Sequence, residues 1–331
     1  MAAYTTIDDP TVYFQMKDYT GNGTAIGSGG NSITFDGDTD LAPGLLWLKR
    51  TDSTSSHEVH DVVRGAQIRS YPDTSGAEDT GVTEGVNAFT SDGFNLGNSG
   101  GGNASGGTYV AYCWAETANA GFDIVTYTGT GTGKNENHSL SAKPGWMLAK
   151  NRGATGGWMM WHQGLPDTGD KVLYFHLTSA MQDEQMFNDT EPTSSVFSIS
   201  ADSNLSSNTY VAYLWAEKQG FSKFGSYEGN GNADGPFIYT GFKPRMLIAK
   251  SIDSTAGAYM IPSKKDWLNG DTYYHYVYSN TTSSNGAFVD FHSNGFKLRK
   301  NDDINNAETY VYMAFAEAPF VNSNGVPCTA R

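Results

Sequence analysis

Three short stretches hold side chains with chemical potential. Asp36-Gly-Asp-Thr-Asp40 sets carboxylates at alternate positions, as the front of a calcium loop does. It lacks the later glycine and the bidentate glutamate that complete such a loop. Asp36, Asp38 and Asp40 are therefore weak metal candidates, set against a solvated turn built on aspartate. His57-Glu-Val-His60-Asp61 places two histidines three apart. On a strand they face opposite sides, which suits hydrogen-bonded structural roles better than one shared metal. Trp158-Met-Met-Trp161-His162 is aromatic enough to stack on a sugar. The competing reading is alternation into two packed layers. Trp158, Trp161 and His162 are the glycan candidates.

No catalytic set emerges. No serine or cysteine sits in an elbow motif with a histidine partner. Cys113 occupies a slot that holds Leu214 and Ala314 elsewhere, so it reads as a small buried hydrophobe. The glycine-rich stretch 97–107 has no basic residue to hold a phosphate and reads as a flexible loop. A pair of acids for glycoside hydrolysis would come together only in the fold. The expectation is a protein that is not an enzyme and carries no cofactor.

The elements that position these residues repeat three times. Thr108 to Glu116 reads TYVAYCWAE, Thr209 to Glu217 reads TYVAYLWAE, and Thr309 to Glu317 reads TYVYMAFAE. Pro43 to Lys49, Pro144 to Lys150 and Pro244 to Lys250 keep the same register. So do the turns after Tyr19, Tyr127 and Tyr227, and the segments around Phe94, Phe197 and Phe296. The copies span residues 1–117, 118–218 and 219–320, with a tail at 321–331. Glu116, Glu217 and Glu317 recur, as do Lys49, Lys150 and Lys250. A catalytic centre is normally assembled once, so recurrence in every copy points to structure.

Each copy reads as all-β, a β-sandwich or jelly-roll-like unit of about 100 residues with short strands between turn residues. In the third copy Pro244 is expected to end one element and start the next. Residues 178–188 are the one stretch that could form a helical turn. Each closing strand is apolar on both faces, as a strand covered on both sides must be. Trp114, Trp215 and Phe315 are the expected core anchors. Only Lys218 and Gln219 separate Glu217 from the strand start at Gly220-Phe221. That spacing fits a tight hairpin, so neighbouring copies share a sheet or pack rigidly. The result is a stiff array or a closed pseudo-threefold body.

Composition narrows the function. Of 331 residues only 17% are charged, and the net charge is −14. Such a surface repels nucleic acid and anionic membranes. No run approaches the ~18 apolar residues of a membrane span, and the N-terminus lacks the basic and apolar regions of a secretory signal. Two cysteines are too few for a disulfide framework.

The sequence resembles a repeat-domain family found in structural proteins of tailed phages from marine bacteria and cyanobacteria. The resemblance rests on Tyr4-Thr-Thr-Ile-Asp-Asp-Pro10, on His60 to Gly65, and on Ser91-Asp-Gly-Phe94. It also rests on Ala216 to Tyr227 and Ala316 to Pro327. It implies a virion protein at the particle surface, as capsid decoration, tail component or fibre, and no catalytic residues. The implied partners are other virion proteins, with a host surface glycan as a further partner and neither nucleic acid nor membrane. A homo-oligomer fits, and a trimer suits virion symmetry. The main alternative is a lectin-like adsorption module; a glycan depolymerase is the third reading.

Overall fold

The computed structural model describes residues 4–167, 169–263, 272–301 and 303–328. Its strands form six antiparallel sheets, and each sheet stays within one copy. The large sheet of the first copy has Phe14–Thr20 beside the closing strand Thr108–Trp114, then Leu45–Arg50 and Glu58–Asp61. The second and third copies repeat this order around Thr209–Trp215 and Thr309–Pro319, and add two outer strands each. A small sheet packs against each large one. It pairs Asn31–Thr34 with Gly93–Leu96, Lys134–Asn137 with Val196–Ile199, and Phe237–Tyr239 with Gly295–Leu298.

The register puts a central strand under each repeated motif. Leu45↔Trp114, Trp146↔Trp215 and Met246↔Phe315 are equivalent pairs. Every closing strand lies between the opening strand and the strand that carries the recurrent lysine. One of its faces looks toward the small sheet, as Tyr109 and Cys113 do in the first copy. The other looks toward the other copies, as Val110, Tyr112 and Trp114 do. Both faces are dry, so alternation into polar residues is lost.

The three inner faces meet in one core. Trp114 contacts Phe315 with ring centroids 5.5 Å apart and Trp215 at 6.2 Å. Trp146 stacks on Trp215 at 4.1 Å, and Phe14 bridges Trp114 and Phe315. The body is thus closed rather than an open array. The joints confirm the cycle. Thr51 O accepts from Ser283 N–H at 3.2 Å, Arg152 O from Glu78 N–H at 2.8 Å, and Ile252 O from Met181 N–H at 2.9 Å. These carbonyls occupy one repeat position, and each binds the preceding copy, the first binding the third. A head-to-tail interface that returns to its start makes a ring.

The turn after the opening strand explains its glycines. A Cβ at Gly21, Gly129 or Gly229 would lie 2.0–2.2 Å from the carbonyl oxygen of Ala104, Leu205 or Asn306. Only glycine allows that approach. The buried amides of Asn103, Asn204 and Asn305 fasten the same turn, accepting from Asn22, Thr130 and Asn230 N–H. Tyr19, Tyr127 and Tyr227 stack on Tyr109, Tyr210 and Tyr310 beneath it, at 5.1, 4.9 and 5.1 Å.

Three expectations change. Pro244 does not divide two elements: Phe242–Ser251 is one strand with register shifts at Pro244. A bulge accepts the missing N–H. Residues 178–188 hold turns and the short strand Gln182–Asp183 instead of a helical turn. Met181 N–H is taken by Ile252 of the next copy, and Asn188 has φ 55°. The glycine-rich loop contains a helical turn, Gly100–Asn103, which buries Asn103.

Candidate functional site

The chemistry-bearing residues gather at the joints between copies. His57 lies just before the strand Glu58–Asp61 and is buried. Its Nδ1 accepts from Trp47 Nε1 at 2.9 Å, so Nε2–H is the donor to Tyr276 O of the third copy, 3.1 Å away. Burial holds its pKa down to about 3. His60, on the same strand, turns to its own copy, with Nδ1 2.7 Å from Ala66 O. The two histidines serve separate partners and do not form a metal pair.

The aromatic triad is buried throughout. Trp158, Trp161 and His162 are at most 1% exposed, so none offers a face to a sugar. The packed-layer reading describes them instead. Trp158 Nε1 donates to Tyr71 O of the first copy at 2.9 Å. His162 Nδ1 accepts from Gly164 N–H, and Nε2–H donates to Tyr312 O of the third copy at 3.1 Å. Burial lowers its pKa to about 4. Trp161 packs in the core between the sheets of the second copy.

Asp36, Asp38 and Asp40 lie on an exposed turn. Gln15 holds that turn, donating to Thr39 O and accepting from Gly37 N–H. Asp36 pairs with Lys17. Among the described residues no three His, Cys, Asp or Glu side chains converge as a metal site.

The recurrent lysines mark the ring. Lys49, Lys150 and Lys250 are buried. Lys49 Nζ donates to Ser55 O at 2.6 Å and to Asn280 O of the third copy at 3.4 Å. Lys150 Nζ reaches Ser75 O of the first copy at 3.3 Å. Lys250 Nζ reaches Leu177 O and Ser179 O of the second at 2.9 and 3.2 Å. Burial lowers each pKa to about 8. The recurrent glutamates do not complete these sites. Glu217 pairs with Lys223, Glu317 with Lys243, and burial raises the carboxyl pKa of Glu116.

One joint carries an ionic cluster that the sequence reading missed. Arg64 Nε donates to Asp61 at 2.5 Å, and its Nη1 reaches Ser70 and Glu78. Its Nη2 donates to the hydroxyl of Tyr213 at 2.8 Å, and that hydroxyl donates to Asp61 at 2.8 Å. Arg152 of the second copy pairs with Glu78 from the other side. The arrangement balances two guanidinium groups against two carboxylates, with no charge left over.

A family model described as a domain of unknown function, DUF7483, matches residues 9–319. The chain belongs to this family. The DUF7483 match runs from the residue that caps the first helical turn to the last residue of the final closing strand. One DUF7483 unit therefore contains all three copies and every joint described above. No curated protein matches the chain.

Proposed function

We propose that this DUF7483 chain is a structural protein of a virion surface, an accessory component of head, tail or fibre that acts by docking to other virion proteins. The observation that carries this reading is the placement of its polar chemistry. His57, His162, the recurrent lysines Lys49, Lys150 and Lys250, and the Arg64–Asp61 cluster are built into the joints, where they hold the ring together. The outside carries exposed polar turns, such as Asp36 to Asp40, on a body whose copies are locked by one core. Rigid surfaces lose little entropy on docking, which suits a particle component. The resemblance to tailed-phage structural proteins supports the same setting. Self-association is part of the proposal, with a trimer matching the threefold build.

The test is cryo-electron microscopy of purified particles from the virus that encodes the chain. The expected result is density into which the closed three-copy body fits, on the capsid lattice or at the tail. Mass spectrometry of the same particles that lacks its peptides would remove this reading.

A further inference from the structure

The three small sheets are equivalent by register, so each is a control for the others. Phe94, Phe197 and Phe296 are buried at one position and face Ile33, Glu136 and Ile238 on the neighbouring strand. The residues flanking that strand position point outward. In the first copy they are Ser32 and Thr34; in the second, Asn135 and Asn137. In the third they are Phe237 and Tyr239, which are 46% and 55% exposed. The fold works with small polar residues there, so the sheet does not require these rings, although the Tyr239 hydroxyl has one tie of its own, 3.3 Å from that of Tyr4.

The surroundings of the rings are specific. Tyr239 lies opposite Gly295, as Thr34 lies opposite Gly93 in the first copy, and a Cβ at Gly295 would lie 2.8 Å from the Phe237 ring. His292 meets Phe237 edge-on at 5.7 Å, and its Nε2 has no hydrogen-bond partner. On the same face Lys297 lies directly opposite Phe237 and pairs with Asp234 at 2.7 Å, and Arg299 pairs with Asp290 at 3.2 Å. These four charges cancel, on a chain whose net charge is −14.

We infer that the outward face of the third copy's small sheet binds a neutral hexopyranose glycan, with Phe237 and Tyr239 as the stacking rings. A pyranose offers a face of C–H bonds and a rim of hydroxyls. The aromatic rings take the face, and the paired acids and bases beside them exchange hydrogen bonds with the hydroxyls. Charge balance selects an uncharged sugar, because Lys297 and Arg299 on this face are both paired with carboxylates. This site is distinct from the buried Trp158–His162 stretch and does not depend on a virion setting.

The test uses the full chain with maltohexaose, cellohexaose and mannohexaose, each at millimolar concentration, read by saturation-transfer-difference NMR. At least one is expected to show transfer to its ring protons. The variant Phe237→Ser with Tyr239→Thr installs the residues of the first copy and is expected to weaken that binding at least tenfold. Circular dichroism checks its fold, and Tyr239→Thr alone serves if the double variant is unfolded. Transfer from none of the three sugars, or binding unchanged in a folded variant, overturns the assignment. A wild-type dimer that the variant abolishes also overturns it, because the face then belongs to a second copy.

Discussion

Trp114 and Phe315 meet edge to face with ring centroids 5.5 Å apart, although one closes the first copy and the other the third. No short linker joins those two copies. The contact is therefore made by the core, and it turns a row of repeats into a ring. In an open row, stability is nearly a sum over neighbours and the ends fray independently. In a ring with one shared core, no copy can leave without exposing the inner faces of the other two.

Trp114→Ala tests this. Removing a fully buried tryptophan costs about 3–5 kcal/mol. The loss is expected to fall on all three copies together. Urea unfolding followed by circular dichroism should show one transition in wild type and one, at lower urea, in the variant. Separate transitions in the wild type would mean that the copies unfold as independent units.

The first joint holds the cluster of Arg64, Asp61, Glu78 and Arg152. Arg64→Met leaves the buried Asp61 carboxylate without its guanidinium partner and should cost about 3–5 kcal/mol. Tyr213→Phe removes only the hydroxyl that links Arg64 and Asp61, and should cost about 1–3 kcal/mol. Urea midpoints give both values. A Met variant as stable as wild type would show that the charges contribute nothing to the joint.

The sequence carried the repeat, the all-β class and the buried anchors, because a period near 100 residues and strands apolar on both faces survive in the residue types. It also carried the structural meaning of the lysines, since Lys49, Lys150 and Lys250 recur at one position. Their partners were hidden. Asn280, Ser75 and Leu177 contribute main-chain carbonyls, which leave no trace in side-chain identity. The buried Asn103, Asn204 and Asn305 recur just ahead of the closing strands, a signal available but overlooked beside the tyrosines. Among the described residues the Arg64 cluster occurs at one joint, so no repeat announces it. Trp158 and Trp161 show the limit of local reading: a strand that is dry on both sides and a sugar platform have the same residue types, and burial alone separates them.

Buried neutral histidines make the protein acid-sensitive. His57 has a pKa near 3 and His162 near 4, and burial also lowers His176 to about 4. In the unfolded chain histidine titrates near 6.5. Between those values the unfolded state binds more protons, so stability falls as pH falls. The slope is up to about 1.4 kcal/mol per pH unit for each histidine. Urea midpoints at pH 7 and 5 should differ clearly. His162→Asn, which keeps a donor near Tyr312 O, should reduce that difference by one histidine's share. Equal midpoints at the two pH values would show that these rings do not stay neutral in the folded state.

The buried lysines act at the other end of the scale. Lys49, Lys150 and Lys250 release their protons near pH 8 in the folded protein, against about 10.5 when unfolded. The unfolded state therefore holds more protons through this window, and stability should rise as pH climbs from about 8 toward 10. Above that the buried tyrosines reverse the trend. Tyr19, Tyr213 and Tyr227 are pushed well above their ordinary value, so the unfolded chain ionises first and folding weakens with further alkali. Urea midpoints at pH 7.5, 8.5 and 9.5 should therefore increase in order. Lys49→Met, Lys150→Met and Lys250→Met should each flatten the rise by about a third, since each removes one of three equivalent titrations. Each also leaves carbonyls at one joint without a donor, at about 1–3 kcal/mol. A rise that survives all three substitutions would assign it to other groups and leave the lysines as plain, charged fasteners of the ring.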